Sequence, residues 1–105
     1  MKRILVVALL MISSASIASA QSAAGKNIFV SKCSICHGPD GSGKTSMGKT
    51  MNVADLRSPA IQKLSDADLK TAISTGKNKM PPFKGKLTDA QMTDVIGYIR
   101  DLGKK

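Results

Sequence analysis

Both cysteines and the single histidine of this 105-residue chain fall within five consecutive positions, Cys33-Ser34-Ile35-Cys36-His37. That clustering limits what can hold the fold together. One disulfide at most is available, and it would close a loop too short to tie distant segments. A structural zinc site needs four ligands, normally two pairs, and the second pair is missing unless a lone aspartate stands in. Dithiol oxidoreductases also carry Cys-x-x-Cys, but at a helix start that follows a strand.

The N-terminus reads as a secretory leader. Lys2 and Arg3 precede an apolar run from Ile4 to Ile12, and Ala18-Ser19-Ala20 forms a small-residue cleavage box. The run is shorter than the roughly 20 apolar residues of a spanning helix. No cysteine follows the box, so no lipid anchor is expected. The expectation is a leader over residues 1–20, cleaved after Ala20, and a single domain over 21–105. The exported chain then resides in the periplasm with no stable membrane insertion.

Without Lys2 and Arg3, 14 basic side chains face 7 acidic ones, all of them aspartates. Phe29, Phe83 and Tyr98 are the only aromatics. So few large side chains make a thin core, and domains of this size usually need an added staple. The composition points to a cofactor that completes the interior.

Hydrophobic spacing predicts helices throughout. Ser22 to His37 carries Ile28, Phe29, Cys33 and Cys36 at three-four intervals. The segment "GPDGSGKTSMGKT" reads as a loop without regular structure. Ser58-Pro59 marks a helix start with a serine cap and a first-turn proline. Ser65 opens another helix with Leu69, Ala72 and Ile73 on one face, ending at Gly76. Pro81-Pro82 forces Met80 into an extended conformation. Thr88 and Gln91 form a capping box before a stripe of Met92, Val95, Ile96, Ile99 and Leu102, closed by Gly103. No strand alternation is present. The expected class is all-α, three to four short helices joined by long loops, and such loops in a small domain imply something large beneath them.

Positions 33, 36 and 37 share one face of a helix. Two thiols at that spacing can add to the two vinyl groups of a porphyrin, and the adjacent imidazole can reach its iron. Cys-x-x-Cys-His is a specific signal for covalent haem, and export agrees with attachment outside the cytoplasm.

Residues 25–103 resemble a small monohaem class I cytochrome c. Gly25-x-x-x-Phe29 is similar to the family's first-helix contact, which packs on an aromatic of the last helix, here Gly97-Tyr98. The segment "GKNKMPPFKGKLTDAQMTDVIGYIR" resembles its distal-ligand loop and terminal helix. The resemblance implies the cytochrome c fold around one haem c, bound by Cys33 and Cys36 with His37 and Met80 as axial ligands. Met80 is preferred over Met47, Met51 and an open site because two prolines fix its backbone. Met92 lies on an apolar stripe and reads as packing. The loop after the box lacks a proline that many relatives carry, which leaves open the carbonyl that orients His37. Arg57 is a candidate propionate partner, or simply a solvated arginine.

His/Met ligation raises the reduction potential and leaves no vacancy on the iron. That implies a monomeric, non-enzymatic electron carrier that shuttles between respiratory membrane complexes or to a terminal oxidase or reductase. The alternative is a haem-based small-ligand sensor, or a redox enzyme subunit, whose distal methionine is displaceable. Lys77, Lys79, Lys84 and Lys86 flank the methionine loop, and Lys44 and Lys49 follow the box. They suit redox partners with acidic docking patches, or merely keep the surface soluble. Nucleic acid fits the charge but not an exported redox protein.

Overall fold

A computed structural model describes residues 12–105, in which six helices follow in order: α1 Ile12–Lys32, α2 Ser34–His37, α3 Ser46–Met51, α4 Pro59–Gln62, α5 Asp66–Thr75 and α6 Asp89–Gly103. No strand occurs among these residues; the ladder-like contacts are two isolated bridges, Lys77 with Met80 and Lys84 with Leu87. Of the leader expected over residues 1–20, residues 1–11 lie outside the described residues. α1 runs without a break across Ala18-Ser19-Ala20.

Local chemistry explains where most helices begin. Thr88 Oγ1 accepts from Gln91 N at 3.1 Å and Gln91 Oε1 accepts from Thr88 N at 2.9 Å, the reciprocal bonds of a capping box. Ser65 Oγ accepts from Asp68 N to start α5. Ser58 occupies the cap position of α4, but its hydroxyl makes no capping bond; its carbonyl accepts from Gln62 N at 2.9 Å instead. Two expectations need correction. The helix over 22–37 is broken at Cys33, and the glycine-rich segment contains α3, started by Thr45, whose hydroxyl accepts from Gly48 N. Those two short elements bring the helix total to six rather than three or four.

α1 and α6 cross to build the core. The α6 stripe of Met92, Val95, Ile96, Tyr98, Ile99 and Leu102 is buried, joined by Phe29, Leu69, Ile73 and Leu87. Each such side chain contributes about 1.5–3 kcal/mol on burial. Phe29, only 1% exposed, meets Tyr98 at 5.3 Å between ring centroids. Gly25 makes the crossing possible: a Cβ there would stand 2.0 Å from the Asp94 carbonyl oxygen. Gly97, the other glycine of the expected contact, faces open space, so of the Gly97-Tyr98 pair it is Tyr98 that makes the contact. Ser22 Oγ donates to Asp101 beside the same crossing.

Arg100 fastens the α4–α5 connection to α6. Its guanidinium donates to Gln62 O at 2.8 Å, to Leu64 O at 2.6 Å and to the Asp66 carboxylate at 2.8 Å. Gln62 Nε2 in turn donates to Leu56 O and Ile99 O. Gly25→Ala is expected to destabilise by about 1–3 kcal/mol or more through overpacking. Gly97→Ala, in a helix interior with free space, should be neutral or stabilise by about 0.5–1 kcal/mol. Denaturant unfolding of the two variants side by side checks both signs.

Candidate cofactor site

Cys33, which joins α1 to α2, and all of α2 carry the cysteine-histidine box. Cys33 N donates to Phe29 O at 2.8 Å and His37 N to Cys33 O at 3.0 Å, so the helical path resumes after the break. The His37 ring lies 6.3 Å from that of Phe29, which ties the box to the α1–α6 crossing. The thiols of Cys33 and Cys36 are not joined, and Cys33 packs against the core. Among the described residues no group of three or more His, Cys, Asp or Glu side chains is arranged to hold a metal ion. The box therefore spreads its donors along a face instead of converging them on one point.

Protonation separates this site from a reactive dithiol. Burial, and secondarily the neighbouring Cys36, push the Cys33 thiol up to about 11. Redox dithiols need the opposite shift, into a range of about 3.5–7.5. Burial also lowers the His37 pKa, which keeps the imidazole neutral and able to ligate. His37 Nδ1 is shielded from solvent and has no hydrogen-bond partner.

Met80 is presented by a loop built from backbone bonds. Lys77 N donates to Met80 O at 3.2 Å and Met80 N to Lys77 O at 2.9 Å, closing a turn with Asn78 at φ 55°. Phe83 N and Lys84 N donate to Ile73 O and Ser74 O, which pins the loop to the last turn of α5. Gly76 lies directly under it at φ 77°; a Cβ there would stand 2.6 Å from Met80 O and 3.0 Å from Pro82 N. Met80 and Phe83, both half-buried, pack against the core. The double proline supplies rigidity, and Gly76 supplies the room.

The other methionines fare differently. Met92 is 3% exposed in the core, Met51 is half-buried, and Met47 is 43% exposed. Arg57 forms a two-pronged contact with Asp55, Nε to Oδ1 at 3.0 Å and Nη2 to Oδ2 at 3.1 Å, with Asp40 at 4.0 Å. These contacts lower the pKa of Asp55 and raise that of Arg57. The guanidinium is already engaged by its own chain. Lys44, Lys49, Lys77, Lys79, Lys84 and Lys86 are all exposed. Two surface grooves of about 310 and 320 Å³ lie elsewhere, one against Gly97 on α6 and one beside Tyr98 and Leu102.

Thr45 escaped sequence reasoning. Its hydroxyl lies 2.8 Å from Ile35 O and 2.9 Å from Cys36 O while capping α3. A threonine is a good cap type, but the glycines around it masked the short helix that it starts. Free thiols at Cys33 and Cys36, a neutral half-buried imidazole beside them and a separately braced methionine loop form a donor set that fits covalent haem.

Comparisons with known proteins agree with this chemistry. The sequence model of the family described as cytochrome c oxidase, cbb3-type, subunit III, matches residues 20–99. The chain is 38% identical to cytochrome c6 of Synechocystis sp. over 83% of its own length and 70% of that protein. It is 34% identical to cytochrome c6 of Leptolyngbya boryana over 82% of itself and 98% of the relative. A 32% identical match to the cbb3-type cytochrome c oxidase subunit FixPc of Rhizobium leguminosarum bv. viciae spans 76% of this chain and 27% of that one. Among solved structures, the KustC0563 c-type cytochrome superposes with a TM-score of 0.69 at 29% identity, covering 74% of this chain and 95% of that one.

Two glycines of the methionine loop allow a direct test of its construction. Gly85 has φ 84° with no atom within 4 Å of an added Cβ, whereas Gly76 combines positive φ with backbone contact. Gly85→Ala should cost about 1–2 kcal/mol for the left-handed backbone alone. Gly76→Ala should cost about 1–3 kcal/mol beyond that. Equal losses on denaturant unfolding would show that the loop does not rest on Gly76.

Proposed function

This chain belongs to the cytochrome c family, and from that premise we propose that it is a soluble periplasmic one-electron carrier with His/Met axial ligation. The family's cofactor is covalently bound haem c. Cys33 and Cys36 would hold it through thioether bonds, and the His37 imidazole and the Met80 thioether would ligate its iron. When bound, the haem supplies a ferric/ferrous couple with one electron per cycle.

The observation that carries this reading is the bracing of Met80. Its turn is closed by its own backbone and anchored to α5 at Phe83 and Lys84, and its half-buried side chain packs against the core. A ligand so held stays through the redox cycle, which suits electron transfer and opposes binding of substrate or gas. The burial of Phe29, Leu69, Ile73 and Leu87 excludes water from the interior that the haem completes. In this reading the residues hold, shield and orient the cofactor.

Export with cleavage after Ala20 completes the reading, since the thioether bonds form outside the cytoplasm. The exposed lysines flanking the methionine loop would steer docking to acidic patches on redox partners. The oxidase-subunit relative supports an acceptor of that kind. Only 27% of its length is covered, so the likeness concerns one domain.

Met80→Ala is expected to retain the covalent haem and lower the reduction potential by at least about 60 mV, tenfold in the one-electron equilibrium. The reduced variant should also bind carbon monoxide at neutral pH, where the wild type does not. An unchanged potential would move the axial position to another methionine, and rapid carbon monoxide binding by the wild type would favour a sensor. Oxidation of the reduced protein by oxidase-containing membranes should slow as ionic strength rises, because screening shortens to about 8 Å at 0.15 M. Rates that stay flat with salt would remove the steering role of the lysines.

A further inference from the structure

All four backbone carbonyls of α2 have partners, and one side chain serves two of them. Gly38 N donates to Ser34 O at 2.8 Å and Gly43 N to His37 O at 2.7 Å. Thr45 Oγ1 reaches the remaining pair, Ile35 O at 2.8 Å and Cys36 O at 2.9 Å, and shares its single proton between them. The last four carbonyls of a helix have no intrahelical acceptor role, and α2 is only four residues long. Left alone, such a turn would fray.

Thr45 also joins α2 to α3. Its oxygen accepts from Gly48 N at 2.9 Å, and Gly48 is pressed so closely that a Cβ would stand 2.3 Å from Cys36 O and 2.4 Å from Gly43 O. The backbone that bears Cys36 and His37 is thus clamped from below by one hydroxyl and one close glycine.

The imidazole lacks the usual alternative. A ligating histidine is normally oriented by a hydrogen bond from its second nitrogen, yet His37 Nδ1 is shielded and without a partner. Ring orientation then depends on packing near Phe29 and on the backbone that carries the ring. We propose that Thr45 is the positioning residue of the histidine side of the haem, fixing His37 through the carbonyls of Ile35 and Cys36. The proposal rests on the reading of His37 as an axial ligand.

The test uses the holoprotein and compares Thr45→Val, Thr45→Ser and Thr88→Val. Valine keeps the branched shape and loses the hydroxyl; serine keeps the hydroxyl; Thr88 caps α6 through Gln91 and makes no hydrogen bond to the box. Thr45→Ala replaces the valine variant if that one accumulates poorly. Ferric electron paramagnetic resonance reports the axial ligand geometry, and a redox titration reports its effect on the iron. Thr45→Val should shift the g values and move the equilibrium about threefold to tenfold toward the ferrous form, since a looser imidazole donates less to ferric iron. Thr45→Ser should restore both, and Thr88→Val should lose stability with neither readout moved. A wild type without a low-spin, six-coordinate spectrum would show that the ligation reading itself has failed. With a normal wild type, a silent Thr45→Val or an equal shift in Thr88→Val would overturn the role of Thr45 alone.

Discussion

The contact between Phe29 and Tyr98 is the point on which the rest of the molecule depends. It joins the first helix to the last across the close approach at Gly25. Phe29 lies one turn before the cysteine-histidine box, so the same ring that seals the crossing also lies near His37. Tyr98 reaches further, with its hydroxyl donating to Pro39 O at 3.2 Å, just beyond the histidine. One aromatic pair thereby sets the helix crossing and the direction in which the chain leaves the box. With only three aromatics in the molecule, no other pair can replace it.

The two loops that flank the site are ordered by the same means, although they share no sequence pattern. Each pins its backbone to the carbonyls at the end of a short helix. After the box, Gly43 N and the Thr45 hydroxyl bind the carbonyls of α2; around Met80, Phe83 N and Lys84 N bind those of α5. Each also contains a glycine where a Cβ would meet backbone, Gly48 on one side and Gly76 on the other. Long loops normally demand a large apolar object beneath them. Here hydrogen bonds to helix ends hold much of their shape.

Legibility in the sequence followed the range of the interaction. Thr88 with Gln91, Ser65 before α5 and the stripe along α6 were readable because each is a pattern within a few residues. The box stood out because Cys-x-x-Cys-His is a specific pattern, and Met80 because two prolines follow it directly. Thr45 was hidden among glycines that suggested disorder instead of a six-residue helix. Arg100 and Gln62 gave no local signal at all, since their partners lie 34 to 38 residues away. Arg57 differs from these, since its carboxylate partner, Asp55, sits only two residues back.

Charge pairing along the chain bears on the surface in turn. Asp55 is taken by Arg57, Asp66 by Arg100, Asp89 by Lys70 and Asp101 by Lys104. Most of these pairs are half-exposed and add little stability individually, but together they neutralise acidic groups away from the methionine loop. None of the described carboxylates pairs with Lys77, Lys79, Lys84 or Lys86. Gly76 and the Pro81-Pro82 pair that shape the Met80 turn also fix the spacing of those four lysines along the loop. The turn that packs Met80 against the core therefore also holds exposed cationic charge beside it, so a change in the turn should alter that packing and the surface potential together.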